Sequence, residues 1–194
     1  LRWTEGQPFL TQKVLSLVAE SENLSGSTQE LIEQIVHTKI IDNWEAQDVP
    51  QHLKTLQERI LRLDERGRGR LLGLFQQIIY GGGIAADESY EQMQLRLTGL
   101  VVKRDGKLQV YNPIYEAVFN RQWCDRALGD LRPPFYAEAL RSWQEASDEQ
   151  KTSFLLRGQA LQDAEDWAKG KRLSDEDDLF LRESREMEKR EVSQ

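Results

Sequence analysis

Apolar side chains recur three and four residues apart through most of this chain, the period of an amphipathic helix. The first such stretch is Phe9–Val18, reached through Gly6-Gln7-Pro8. Proline suits a helix's first turn, where its missing N–H would have no intrahelical partner. Ser27 and Glu30 stand at the spacing of a capping box, and Ile32, Val36, Ile40 and Trp44 follow four apart on one face. Pro50 opens a third helix with the stripe Leu53, Leu56, Ile60 and Leu63. The basic run Arg66-Gly67-Arg68-Gly69-Arg70 reads as a mobile connector. It precedes a fourth helix, Leu71–Ile79, that buries Leu71, Leu74, Phe75 and Ile78 and stops at Gly81-Gly82-Gly83.

The period changes between Leu97 and Asn112. Here β-branched residues flank Asp105-Gly106, a pair suited to a tight hairpin turn whose central residues both need φ > 0. Ser89–Leu97 is the helix leading into that hairpin, with Tyr90, Met93 and Leu97 predicted to face inward. Ile84 to Asp87 reads as either a short strand or an abbreviated helix. A helix running directly into one β-hairpin is the plan of a winged helix. Asn112-Pro113 then restarts helix through Tyr115, Val118, Phe119 and Trp123. Leu131-Arg132-Pro133-Pro134 marks a break, followed by amphipathic stretches at Tyr136–Glu145 and Lys151–Lys169. Ser147 and Gln150 are placed to cap the latter, which carries Leu156, Ala160, Ala164 and Trp167. From Ser174 the apolar positions thin, and a helix that polar buries little by itself. The expected fold is therefore mainly α: a helical segment over 1–69, a winged helix-turn-helix with one β-hairpin over 70–128, and a helical extension over 129–194.

Composition keeps this picture within soluble, folded classes. Hydrophobic residues make up 39% and charged residues 30% of the 194. No apolar run approaches the roughly 18 residues of a membrane span, and no stretch has the pattern of a signal peptide. The single cysteine, Cys124, excludes an internal disulfide and fits a reducing compartment, so a cytoplasmic location is expected. The net charge of −7 disfavours indiscriminate nucleic-acid binding. Residues 174–194 hold eight acids and four bases, so that tail supplies much of the excess and local basic surfaces stay open elsewhere.

Candidate chemistry is sparse. His37 and His52 are the only imidazoles, neither has a metal-ligand spacing with Cys124, and no metal site is expected. Gly106-Lys107 is followed by leucine and Gly170-Lys171 by arginine, so neither completes a phosphate-binding loop. The chain by itself is not expected to be an enzyme. Arg96, Lys103, Arg104 and Lys107 surround the wing and form a candidate interdomain or nucleic-acid surface. Asp87, Glu88 and Glu91 crowd the start of the adjoining helix and weigh against a DNA reader. The cluster Arg59, Arg62, Arg66, Arg68 and Arg70 interleaves with Glu58, Asp64 and Glu65, which suggests solvated ion pairs.

Five blocks carry a resemblance. They are Trp3-Thr4-Glu5-Gly6-Gln7-Pro8-Phe9-Leu10-Thr11-Gln12, Ile41-Asp42-Asn43-Trp44-Glu45 and Leu97-Thr98-Gly99-Leu100-Val101-Val102-Lys103-Arg104, extended by Val110-Tyr111-Asn112-Pro113-Ile114-Tyr115 and Leu155-Leu156-Arg157-Gly158-Gln159-Ala160-Leu161. Together they resemble the carboxy-terminal part of AAA-like signalling ATPases, the STAND-type NTPases of cyanobacteria and related bacteria. The resemblance implies that residues 1–69 are a helical lid, 70–128 a winged-helix domain, and 129–194 a link to a downstream module. It also implies that Gly6 and Pro8 contact the adenine of a nucleotide held by a core upstream of Leu1. Family members usually carry a further glycine where this chain has Glu5. No cofactor is expected in this chain, but ATP or ADP is expected in a longer parent protein. The implied function is non-catalytic coupling of the core's nucleotide state to sensor or effector modules and other proteins. The alternatives are a winged-helix DNA-binding transcription regulator and a helical oligomerisation scaffold.

Overall fold

The computed structural model describes residues 2–21, 26–171 and 173–192; the side chains of residues 65 and 66, and hence the expected role of Arg66, lie outside the described part, as do Ser193 and Gln194. Helix α1 (Pro8–Glu20) begins where its proline predicts, and the Gln7 side chain caps it by accepting from the Leu10 N–H at 2.6 Å. Helix α2 (Thr28–Val36) has the Ser27/Glu30 capping box in full. A π-helical segment, His37–Ile41, then widens the spiral. Ile35, Val36 and Ile40 are buried, while Ile32 and Trp44 are half-buried.

After the short helix α3 (Trp44–Gln47) the Val49–Pro50 peptide is cis, and helix α4 spans Leu53–Leu61. Asp48, rather than Pro50, begins α4. Its buried carboxylate accepts from the backbone N–H groups of His52, Leu53 and Lys54 at 2.8–3.1 Å. Such groups have no intrahelical partner in a first turn, so a carboxylate there stabilises the start of the helix.

The expected mobile connector is helical. Helix α5 runs Glu65–Gly81, and its cap Asp64 accepts from the Gly67 N–H at 2.6 Å. Each glycine costs a helix interior about 1 kcal/mol relative to alanine. The cap, and the burial of Leu71, Leu72, Phe75 and Ile78 in the same helix, outweigh that cost. Helix α5 ends at the glycines as expected, with Gly82 in the left-handed region at φ 67° and its N–H bonded to the Ile78 carbonyl.

Strand β1 (Ile84–Ala85), helix α6 (Tyr90–Leu97) and strands β2 (Val101–Arg104) and β3 (Lys107–Val110) follow. The sheet is antiparallel in the order β1-β3-β2, with Ile84 opposite Leu108 and Arg104 opposite Lys107. Asp105 and Gly106 stand at φ 49° and 74°, both positive as the hairpin requires. Gly99, at φ 89° between α6 and β2, also needs the absence of a side chain: a Cβ there would meet Leu56 at 3.3 Å and Arg59 at 3.5 Å.

The inward stripe expected on α6 is reversed. Tyr90, Met93 and Leu97 are 67%, 47% and 68% exposed, while Gln92 and Leu95 are buried. Gln92 turns inward because both ends of its amide are used. Its Nε2 donates to the Ala85 carbonyl and its Oε1 accepts from the Asp87 N–H, each at 3.0 Å. Helix α7 (Pro113–Val118) starts under an Asn112 cap, and helix α8 (Arg121–Gly129) follows. Tyr115, Val118, Phe119, Trp123 and Cys124 are all buried.

The molecule is mainly α with one small antiparallel sheet. It divides into two compact units, Leu1–Cys124 and Asp125–Gln194. The second contains helix α9 (Pro134–Glu145), a 3-10 turn (Lys151–Phe154), helix α10 (Gly158–Ala168) and helix α11 (Asp175–Val192). The single helix expected over Lys151–Lys169 is interrupted, since Leu155 and Arg157 are extended and Gly158 stands at φ 54°. The polar tail gains its burial from neighbours: Phe180 and Leu181 of α11 join Tyr136, Leu140, Trp143, Leu161 and Ala164 in one core. Within this core Asp177 is buried and accepts both arms of Arg132, at 2.7 and 3.0 Å. Tyr136 and Ser174 hydroxyls complete its shell at 2.8 and 2.7 Å.

Candidate functional site

The residues nominated from sequence fall on two features of the first unit, and one ion pair joins them. Thr4 to Gln7 form a tight turn closed by the Gln7 N–H to the Thr4 carbonyl at 2.9 Å. Its central residues, Glu5 and Gly6, both have positive φ, at 45° and 82°. Glycine adopts that backbone without cost, whereas Glu5 carries a Cβ into it. Thr4 is buried and its hydroxyl lies 2.8 Å from that of Thr11, which anchors the turn on α1. Gly6 and Pro8 are exposed, and a Cβ built on Gly6 would meet nothing within 4 Å. The turn thus leaves a small open face with a rigid apolar ring beside it.

Arg104, the last residue of β2, is ion-paired with the Glu5 carboxylate. The same guanidinium donates to the Tyr111 carbonyl at 3.0 Å and lies 5.8 Å from the centre of the Tyr111 ring. A second link runs through the backbone, where the Ile114 N–H of α7 meets the Trp3 carbonyl at 3.4 Å. Lys103 and Arg96 instead share Glu88, Lys103 in a hydrogen-bonded ion pair and Arg96 at 3.9 Å. The Lys103 hydrogen bond is the chief reason Glu88 is held below the usual carboxylate range. Lys107 is exposed at the start of β3. The four cations therefore do not form one free basic surface.

Sequence reasoning missed a half-buried polar cluster behind the turn. Phe9, next to Pro8, stacks on His52 with ring centres 4.3 Å apart. His52 Nε2 lies 2.7 Å from the Tyr115 hydroxyl. Burial holds His52 below the ordinary imidazole value; Asp48 opposes this, and Arg59 and Lys13 add to it. Burial also pushes the Tyr115 hydroxyl well up. Asn112 uses its Oδ1 to cap α7, while its buried Nδ2 has no hydrogen-bond partner. The contacts made by His52 and Arg104 join positions far apart in the chain, and no local pattern announces them. Glu5 alone left a trace, as a charged residue at a turn position suited to glycine.

The arginine cluster disperses. Arg59 donates to the Thr98 carbonyl at 2.9 Å, Arg62 pairs with Glu58 at 2.9 Å, and Arg70 pairs with Glu91 at 3.7 Å. Beside the exposed face of α6, an open groove is lined by Met93, Arg96, Leu97, Val101, Val102 and Lys103. Among the described residues no group of three or more His, Cys, Asp or Glu side chains could hold a metal ion, and no helix is long and apolar enough to cross a membrane.

No family model matches the chain, and no solved structure matches it. The chain is 48% identical over 194 residues to an uncharacterized WD repeat-containing protein of Synechocystis sp.. The match covers 97% of this chain and spans 16% of the length of that curated relative.

Proposed function

We propose that the chain is a non-catalytic regulatory module of a signal-transduction NTPase, coupling the nucleotide state of an upstream core to partner or effector modules through a winged helix. The observation that carries this reading is the meeting of Glu5 and Arg104. It joins the turn bearing Gly6 and Pro8 to the hairpin that serves as the wing. The order of α5, β1, α6, β2 and β3, with a three-stranded sheet, supports the winged-helix assignment. Gly6 and Pro8 fit the adenine contact because both are exposed and nothing crowds the glycine. Similarity to a segment of a much longer WD repeat-containing protein supports a modular parent.

In this mechanism an ATP or ADP molecule on the core supplies the signal. Gly6 allows close backbone approach to the base, and Pro8 offers it a rigid apolar face. In the ADP state the winged helix clamps the core, and exchange for ATP releases the contact. The outward Tyr90, Met93 and Leu97 on α6 favour a protein-facing wing over a DNA reader, whose recognition helix would present polar groups to base edges. The test is ADP release from the natural polypeptide, with and without residues 70–128. Faster release on deletion supports the clamp; unchanged release overturns it. A DNA affinity that falls steeply with salt would favour the transcription-regulator reading instead.

A further inference from the structure

We infer that the Glu5–Arg104 ion pair is a latch by which the wing holds the Gly6–Pro8 turn in place, so that displacing the wing frees the turn. The regulatory half of this inference rests on the nucleotide reading proposed above.

Three observations converge on the pair. First, Glu5 occupies a left-handed backbone position, φ 45°, that a residue with a Cβ rarely adopts. Something must hold it there, and the contact made by its side chain is Arg104. Second, the guanidinium is itself fixed from behind. The Tyr111 carbonyl accepts from it at 3.0 Å and the Tyr111 ring lies beneath it at 5.8 Å. Arg104 therefore reaches the turn from a set position rather than as a freely rotating surface cation. Third, the pair spans the two ends of the candidate surface. Arg104 directly precedes the Asp105-Gly106 turn of the hairpin, while Glu5 directly precedes Gly6.

Thr4, buried and bonded to Thr11, and Gln7, which caps α1, hold the two ends of the turn, so the ion pair is the side-chain restraint on its central residues. Opening the ion pair thus removes the side-chain restraint on Glu5 and leaves its backbone disfavoured. The two central residues are then free to leave the left-handed conformation, while Thr4 and Gln7 stay tied to α1. Because both side chains are over a third exposed, the latch is weak enough to be opened by another contact made to the wing or to Arg104.

The first experiment uses the 194-residue chain and reads amide hydrogen exchange at Gln7, whose N–H closes the turn. Glu5→Gln and Arg104→Gln should each speed that exchange by about two- to fivefold. The double variant should do no more than either single one. Unchanged exchange in the single variants, or strictly additive effects in the double, overturns the latch whatever the nucleotide result.

The second experiment measures ADP release from the natural polypeptide carrying the core. If Glu5→Gln and Arg104→Gln speed release together with Gly6→Ala and Pro8→Ala, the regulatory role stands. If the Gly6 and Pro8 variants alter release and the Glu5 and Arg104 variants do not, the regulatory role is overturned while the nucleotide reading survives. If none of the four does, the nucleotide reading and the regulatory role both fall, and the exchange data decide the latch alone.

Discussion

His52 joins three elements through one side chain: α4, which it precedes, α1 through Phe9, and α7 through Tyr115. Its imidazole is held below the ordinary value of 6.5, chiefly by burial. As pH falls past 6.5 the unfolded chain takes up a proton before the folded one does. Stability is therefore full above 6.5, declines as pH drops from there toward the folded-state value, and then levels. Urea unfolding of the first unit near neutrality and at about pH 5 should show this loss, and His52→Gln should abolish it. A loss that survives the substitution assigns the slope to another group. At this scale, local signals were readable in advance: Ser27 with Glu30, Asp105 with Gly106, and Pro8 each act within a turn of their own position. His52 and Tyr115 lie 63 residues apart, and Arg104 reaches back to Glu5, so only the folded backbone brings them together.

Periodicity located most helices but misjudged one face. On α6 an apolar stripe was legible in Tyr90, Met93 and Leu97, and the inference that it points inward assumed that polar residues stay out. Gln92 breaks the assumption because its amide bonds the backbone of Ala85, the last residue of β1, and of Asp87 in the loop that follows, which removes the cost of burying it. The Arg-Gly run is helical rather than a joint because Asp64 caps α5 and Leu71, Leu72, Phe75 and Ile78 anchor it further along. Orientation is testable at Leu97. As an exposed residue, Leu97→Ser should shift the free energy of unfolding by no more than about 0.5 kcal/mol. A buried leucine at that position would cost several times more on truncation. Chemical denaturation separates the two.

Each compact unit keeps its own core and its own tryptophans, with Trp3, Trp44 and Trp123 in the first and Trp143 and Trp167 in the second. The second unit turns on Asp177. Burial opposes its ionisation, yet hydrogen bonds from Arg132, Ser174 and Tyr136 together hold its carboxyl below the usual range. Asp177→Asn leaves Arg132 without its counter-charge and should destabilise that unit by about 3 kcal/mol, nearer the low end for a broken buried pair because the Arg132 side chain keeps 26% exposure. Fluorescence of the tryptophans should place the change in the second unit's transition, with that of the first unmoved. A shift of equal size in both would mean that the units unfold as one. Sequence composition foresaw the thinning of apolar residues after Ser174; that Phe180 and Leu181 nevertheless complete a core depended on partners in α9 and α10.

The sheet order β1-β3-β2 leaves two of three strands on the outside, and such margins are where one protein molecule can add its backbone to another. Here β1 is two residues long, too short to template a new strand, and β2 carries Lys103 and Arg104 on four residues. Short length and charge together make this margin inert. The hairpin therefore offers little free backbone through which one copy of the chain could add a strand to another.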